Sequence, residues 1–181
     1  MSPTLAERIL RVDVALSEVP HAFGGALALA YYAEPRATVD IDLNVFVPTA
    51  EYLGVAERLN VLGMDASAPR ILELVAQDGQ ARVFWDEVPI DMFLSYDAFH
   101  DAAGAARRTV PFAGKEIDVL SPEHLMVCKV VFNRGKDWVD LEAMLACGTV
   151  IDPAEVLRWV ARIAGDEDSR YARVVALLTR R

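Results

Sequence analysis

The stretch spanning residues 23–47 constrains the chain most. It holds a glycine pair, Gly24-Gly25, then an apolar helix-forming run over 26–32, a break at Glu34-Pro35, and the segment Thr38-Val39-Asp40-Ile41-Asp42-Leu43. Strict alternation in that segment fits a half-buried strand, with both carboxylates on one face and Val39, Ile41 and Leu43 on the other. Two like charges on adjacent same-face positions repel, and a strongly positive partner between them relieves the repulsion. A divalent cation is such a partner. Mg²⁺ takes hard oxygen ligands, commonly one or two carboxylates completed by phosphate and water. The same residues also fit a solvated strand face that carries two aspartates.

The surroundings bear on that choice. Glycines ahead of a helix let backbone N–H groups approach an anion such as phosphate, although a tight turn uses Gly24-Gly25 equally well. Residues 83–94 read as two strands meeting at a turn around Asp86-Glu87. Asp91 lies between Ile90 and Met92 inside the second of them, where a charge needs a partner. If that strand neighbours the Asp40–Asp42 strand, three carboxylates converge: two to hold metal, and a third to take a proton from an attacking hydroxyl. The alternative for Asp91 is an edge-strand carboxylate facing water.

Taken together, Phe23-Gly24-Gly25, then Arg36-Ala37-Thr38-Val39-Asp40-Ile41-Asp42, then Ile90-Asp91 resemble the signature of the DNA polymerase β-like nucleotidyltransferase superfamily. The Arg-x-Thr-x-Asp-Ile-Asp form resembles, more narrowly, the abortive-infection type IV toxin nucleotidyltransferases. Lys129 and Arg134-Gly135-Lys136-Asp137-Trp138-Val139-Asp140 look like that group's downstream segment. Gly25 departs from the pattern, since many members carry Ser there.

The resemblance implies an α+β fold bordering on α/β: a nucleotidyltransferase-type mixed sheet flanked by helices, with a helical C-terminal lobe. It implies an enzyme moving NMP from an NTP to an acceptor hydroxyl. Asp40, Asp42 and Asp91 would serve Mg²⁺ and catalysis, and Lys129 would meet a phosphate or the base. Gly24, Gly25, Arg36, Thr38, Arg134, Lys136 and Asp137 would contact the nucleotide, with Asp140 shaping the pocket. The implied acceptor is RNA, with tRNA first, in a toxin–antitoxin pair with a cognate antitoxin protein. A small hydroxylated molecule, as in aminoglycoside nucleotidyltransferases, is the alternative, and a catalytically silent binding member is a further one.

Read physically, the downstream segment begins with Ser121 as a cap, Pro122 at the first helical position and Glu123 in the first turn. That helix runs through Leu125, Met126, Val127, Val130 and Val131 and stops at Gly135. Asp137 then caps a second helix over 138–147, with Lys136 and Asp140 four apart for a surface pair. Lys129 has apolar neighbours, so it needs a path to water or an anion. His21, His100 and His124 show no ligand spacing. Arg107, Arg108 and Lys115 make a small basic patch, either a solvated edge or a place for an acidic acceptor.

At 181 residues and 54% hydrophobic, the chain can bury a core. No apolar run is long and clean enough to cross a bilayer, and the first residues show no secretory leader, so a cytoplasmic protein is expected. Cys128 and Cys147 read as reduced core thiols. A net charge of −9 argues against broad nucleic-acid binding without excluding a local groove.

The remaining pattern predicts an amphipathic helix over 4–19, striped by Leu5, Ile9, Val12 and Leu16, and a helix over 50–62 capped by Thr49. Strands are expected at 71–75, 81–85 and 90–94, a helix over 96–106 and a hairpin over 110–120. Asp152-Pro153 opens a helix burying Val156, Leu157, Val160 and Ile163, and a last helix runs to Leu178. This organisation gives an α/β core over 1–120 and a helical lobe over 121–181 packed on it.

Overall fold

A computed structural model describes residues 2–179; Met1, Arg180 and Arg181 lie outside the described residues. The chain divides into two units. One comprises Met1–Leu27 and Ala37–Leu120, the other Ala28–Arg36 and Ser121–Arg181.

The first unit is built on six strands: β1 (His21–Phe23), β2 (Ile41–Pro48), β3 (Gln80–Trp85), β4 (Val88–Ser95), β5 (Arg108–Phe112) and β6 (Lys115–Val119). They form one mixed sheet in the order β3-β4-β2-β1-β6-β5. β2 runs parallel to β4 and β1 parallel to β6, while the other neighbours are antiparallel. The central strands read as apolar alternation. Ile41, Leu43 and Val45 of β2 and Ile90, Met92 and Leu94 of β4 are all buried, at 2% exposure or less. Each such side chain contributes about 1.5–3 kcal/mol of burial.

Four helices accompany the sheet: α1 (Leu5–Ala15), α3 (Tyr52–Asn60), α4 (Pro69–Asp78) and α5 (Ala98–Ala105). The short helix α2 (Gly25–Leu29) begins at the second glycine of the pair. Thr4 and Glu7 cap α1 reciprocally, and Ile9, Val12 and Leu16 are buried along its stripe. Arg8 is buried too. Its guanidinium lies over the Trp85 ring, donates to the Trp85 carbonyl at 3.1 Å and pairs with Asp86 at 2.8 Å.

Several expectations fail here for local reasons. Residues 71–75 belong to α4, not to a strand. Pro69 opens that helix and Gly79, at φ +67°, closes it. Ile71, Leu72 and Val75 thus recur at helical rather than alternating spacing. Val39 is 76% exposed, because β2 begins only at Ile41. Thr49 opens a 3₁₀ turn, Thr49–Glu51, and caps nothing with its side chain.

The second unit is helical: α6 (Pro122–Phe132), α7 (Gly135–Ala146), α8 (Pro153–Ala164) and α9 (Ser169–Leu178). α6 packs against α7, α8 and α9, and buries residues on nearly every side, including Leu125, Met126, Val127 and Val130. The segment Ala28–Arg36 belongs here through Thr149, which donates to the Tyr32 carbonyl, and through Arg36 on Asp140.

α6 ends at Asn133, in the left-handed conformation at φ +56°, and not at Gly135, which starts α7. Asp137 lies in the first turn of α7, where it accepts the Arg134 N–H at 3.0 Å, instead of preceding the helix. Ile163 is 40% exposed, and Trp159 takes the buried place on α8. Cys147 is exposed and Cys128 half-buried, so neither is a core thiol in full. Among the described residues no helix is long and apolar enough to cross a membrane.

Candidate active site

The sheet places two acids side by side. On parallel strands β2 and β4, Asp42 is the register partner of Asp91, and neighbouring strands lie about 4.8 Å apart. Both side chains are half-buried on the same face, flanked by fully buried Ile41, Leu43, Ile90 and Met92 on the other. Asp40 precedes β2 by one residue. Thr38 closes a local turn onto it: the Thr38 hydroxyl bonds the Asp40 carboxylate and lies 3.4 Å from the Asp40 N–H.

The glycine pair is fastened to this strand. The Gly24 N–H donates to the Asp42 carbonyl at 2.9 Å, so it anchors the turn. Gly25 has φ +52°, and a Cβ there would sit 1.7 Å from Asp42 Oδ2. A side chain at 25 would therefore demand both a strained backbone and a displaced Asp42. This accounts for glycine at position 25 in this chain.

A residue absent from the sequence-derived set completes the face. Arg82 of β3 is the register partner of Asp91. Its Nε and Nη2 donate to the two Asp91 oxygens at 2.6 and 2.7 Å. The bond from Asp91 raises the guanidinium pKa most, followed by the charges of Asp91, Asp40 and Asp42. Three carboxylates thus act on one cation. The signal was present in the sequence: a two-residue turn at Asp86-Glu87 pairs Trp85 with Val88, and the same register sets Arg82 opposite Asp91.

Among the described residues, no three His, Cys, Asp or Glu side chains come together as a group that could hold an ion. Asp91 is turned onto Arg82. The donor chemistry nonetheless suits a hard cation: all three acids offer carboxylate oxygens, and a guanidinium already answers their combined charge.

The second unit carries its own charged cluster. Asp140, 5% exposed, accepts Nε and Nη2 of Arg36, each at 3.0 Å, and Nζ of buried Lys129 at 2.6 Å. Burial pushes the Asp140 carboxyl up, but the bonds from Arg36 and Lys129 outweigh it and hold the group below the usual carboxylate range. Asp140 therefore does not pair with Lys136, which is exposed on α7. Arg134 folds over the Phe132 ring and binds Asp137, which is fully buried. His21 is structural: its ring nitrogens meet the Val19 carbonyl at 2.8 Å and Asp13 at 3.2 Å. Of the basic patch, Arg107 is held by Asp118 at 2.7 Å and by the Gly104 carbonyl.

The mixed six-stranded sheet with its helices is an α+β fold of the nucleotidyltransferase class. The solution structure of the antibiotic-resistance factor ANT(2'')-Ia is similar, with TM-score 0.65, 18% identity and 98% of each chain covered. The crystal structure of ANT(2'')-Ia with adenylyl-2''-tobramycin gives 0.57 at 15% identity, covering 97% of this chain and 99% of that one. An antigenic nucleotidyltransferase-like protein from Paracoccidioides brasiliensis gives 0.51 at 15% identity, covering 94% of this chain and 84% of that one. At these identities the likeness is one of fold. No curated protein sequence matches. The family described as nucleotidyl transferase AbiEii toxin, type IV TA system, matches residues 8–179, and the chain belongs to it. It is accordingly a nucleotidyltransferase of a toxin family.

Proposed function

We propose that the chain transfers NMP from an NTP to an acceptor hydroxyl through the acidic face of the sheet. The reading rests on one observation above others: Asp42 and Asp91 stand in register on neighbouring strands, with bare Gly25 against Asp42. Asp40, Asp42 and Asp91 would hold Mg²⁺, which when bound neutralises phosphate charge. Asp91 orients the acceptor hydroxyl or accepts its proton. Thr38 keeps Asp40 in place, and the bare Gly25 lets the Asp42 carboxylate lie close against the backbone. Catalysis is then positioning and charge compensation, with little covalent work for the protein. Family likeness gives Arg36, Lys129, Arg134, Lys136 and Asp137 roles toward the nucleotide; Arg36, Arg134 and Lys136 are the exposed cations among them, whereas Lys129 is buried on Asp140 and would have to act through that carboxylate.

We favour RNA, with tRNA first, as the acceptor; as a member of a toxin family of a type IV TA system, the chain would then act as the toxin of a pair held in check by an antitoxin. A small cationic, hydroxylated acceptor is the second reading. The observation behind it is the acidity of the chain, net −9, which suits a polyamine sugar better than a polyanion.

The test incubates purified protein with each labelled NTP and Mg²⁺, supplying either total RNA or an aminoglycoside panel. Label on RNA supports the first reading, and label on an aminoglycoside supports the second. Label on neither, from protein that binds NTP, leaves a silent binding member and ends the transferase proposal.

A further inference from the structure

We infer that Arg82 competes with the divalent cation for Asp91, so that loading the site requires its guanidinium to swing off the carboxylate. This rests on the metal reading above.

Both Asp91 oxygens are engaged, at 2.6 and 2.7 Å, by one planar fork. Such bidentate pairs are the strong class of charge-assisted hydrogen bond. The contact is enforced by the sheet. Arg82 faces Asp91 across β3 and β4, and the turn joining those strands is pinned by Arg8 through the Trp85 carbonyl and Asp86. Asp91 is thereby committed to a cation in place, and the three acids do not gather as one ligand group.

The arm of Arg82 is suited to leaving. It sits on the edge strand β3 with 54% of its side chain exposed, so rotation moves it into water without opening the core. Nor is this an ordinary cross-strand pair of a few tenths of a kcal/mol. An isolated pair answers one carboxylate, whereas this guanidinium also feels Asp40 and Asp42. A divalent cation among the same three acids carries twice the charge and would repel the guanidinium from its present place. Arg82 is a positioning residue: it keeps Asp91 ordered and the acidic face compensated until the stronger cation takes over.

The test measures Mn²⁺ binding from the free-ion EPR signal, without NTP, in wild type, R82Q and D42A. R82Q is expected to bind roughly tenfold more tightly than wild type or better, as removal of a competing charge a few ångströms away predicts. D42A is expected to lose binding. Equal affinity in R82Q and wild type, with loss in D42A, would overturn the Arg82 inference and leave the metal reading standing. Absence of binding in every protein, R82Q included, would remove the metal reading and this inference with it. A second measurement needs no variant. In wild type, the hydrogen-bonded Arg82 Nε–H resonance should shift or vanish as Mg²⁺ is added, and an unchanged resonance under saturating Mg²⁺ would sink the idea.

Discussion

The two charged clusters of this chain use the same residue types with opposite balance. On the sheet, Arg82 is bound by Asp91 and also feels the charges of Asp40 and Asp42, and the side chains are half-buried or more exposed. In the helical unit, the single carboxylate of Asp140 is buried beneath two cations, Arg36 and Lys129. The first is open: its carboxylates are half-buried and Arg82 is 54% exposed, so water and a stronger cation can reach it. The second is closed: Lys129 is 4% exposed, and its charge is answered by hydrogen bonds inside the unit. Removing a member should therefore cost chemistry in the first and folding in the second. That difference follows from burial, because an exposed unpaired charge is rescued by solvent and a buried one is not.

The sharpest way to break the comparison is Asp42→Ala. Transfer should fall roughly 10³-fold, the scale of losing a principal charge-compensating group, while the unfolding free energy from urea melts stays within about 1 kcal/mol of wild type. Labelled-nucleotide transfer and a denaturant melt on the same preparation read both. A variant that keeps its activity would remove Asp42 from the chemistry. Asp140→Ala should invert the pattern. Lys129 would be left buried beside Arg36 without its anion, at about 3–5 kcal/mol of stability. A midpoint unmoved by that change would mean Lys129 reaches water or another acid, and that the cluster is not closed.

Gly25→Ser adds a side chain at the tightest point of the site and tests how closely the glycine turn fits its strand. The positive φ alone costs about 1–2 kcal/mol for a residue with a Cβ. The clash with Asp42 Oδ2 adds displacement of a site carboxylate. Stability should drop by that amount, and transfer by roughly tenfold to a hundredfold, as misplacement of reacting groups costs. A neutral Gly25→Ser would show that Asp42 has slack to turn away.

How far the sequence reveals these arrangements depends on range. Asp42 and Asp91 are legible as strand carboxylates because alternation is local, and the Asp86-Glu87 turn fixes which residues face each other. Reading that register one step further exposes Arg82. The helix over Pro69–Asp78 was masked by its apolar run, which periodicity cannot separate from a strand at five residues. Its Pro69 and Gly79 punctuation was the better guide. The partner of Asp140 was out of reach altogether. Local spacing offered Lys136, four residues away, whereas the fold supplied Arg36, 104 residues away, together with Lys129. Nothing local in a sequence distinguishes a helix-surface pair from a carboxylate turned inward.

The smallest effect concerns His124, the cap-proximal histidine of α6, and extends the contrast between open and closed charge to pH. Burial pushes its pKa down first of all; Glu155 and Glu123 push back and Arg158 adds to the lowering. Its Nδ1 lies 2.8 Å from the Ser121 hydroxyl and Nε2 lies 3.8 Å from Glu155. A histidine with a lowered folded-state pKa resists protonation that the unfolded chain accepts. The unfolded state therefore binds more protons just below its own value of about 6.5. Stability is full above that pH and declines as pH falls toward the folded value. Each unit of separation is worth at most about 1.4 kcal/mol. His100, buried and lowered chiefly by desolvation, adds a decline of the same sign. Melting temperature should thus fall from pH 7 to pH 5 in wild type, and His124→Gln should flatten part of that slope. Asp140 enters only lower, below its ordinary value of 3.8, where its two cations begin to lose their partner. A His124→Gln protein with the wild-type slope would place the proton uptake elsewhere, and the helical unit would then owe none of its acid sensitivity to this ring.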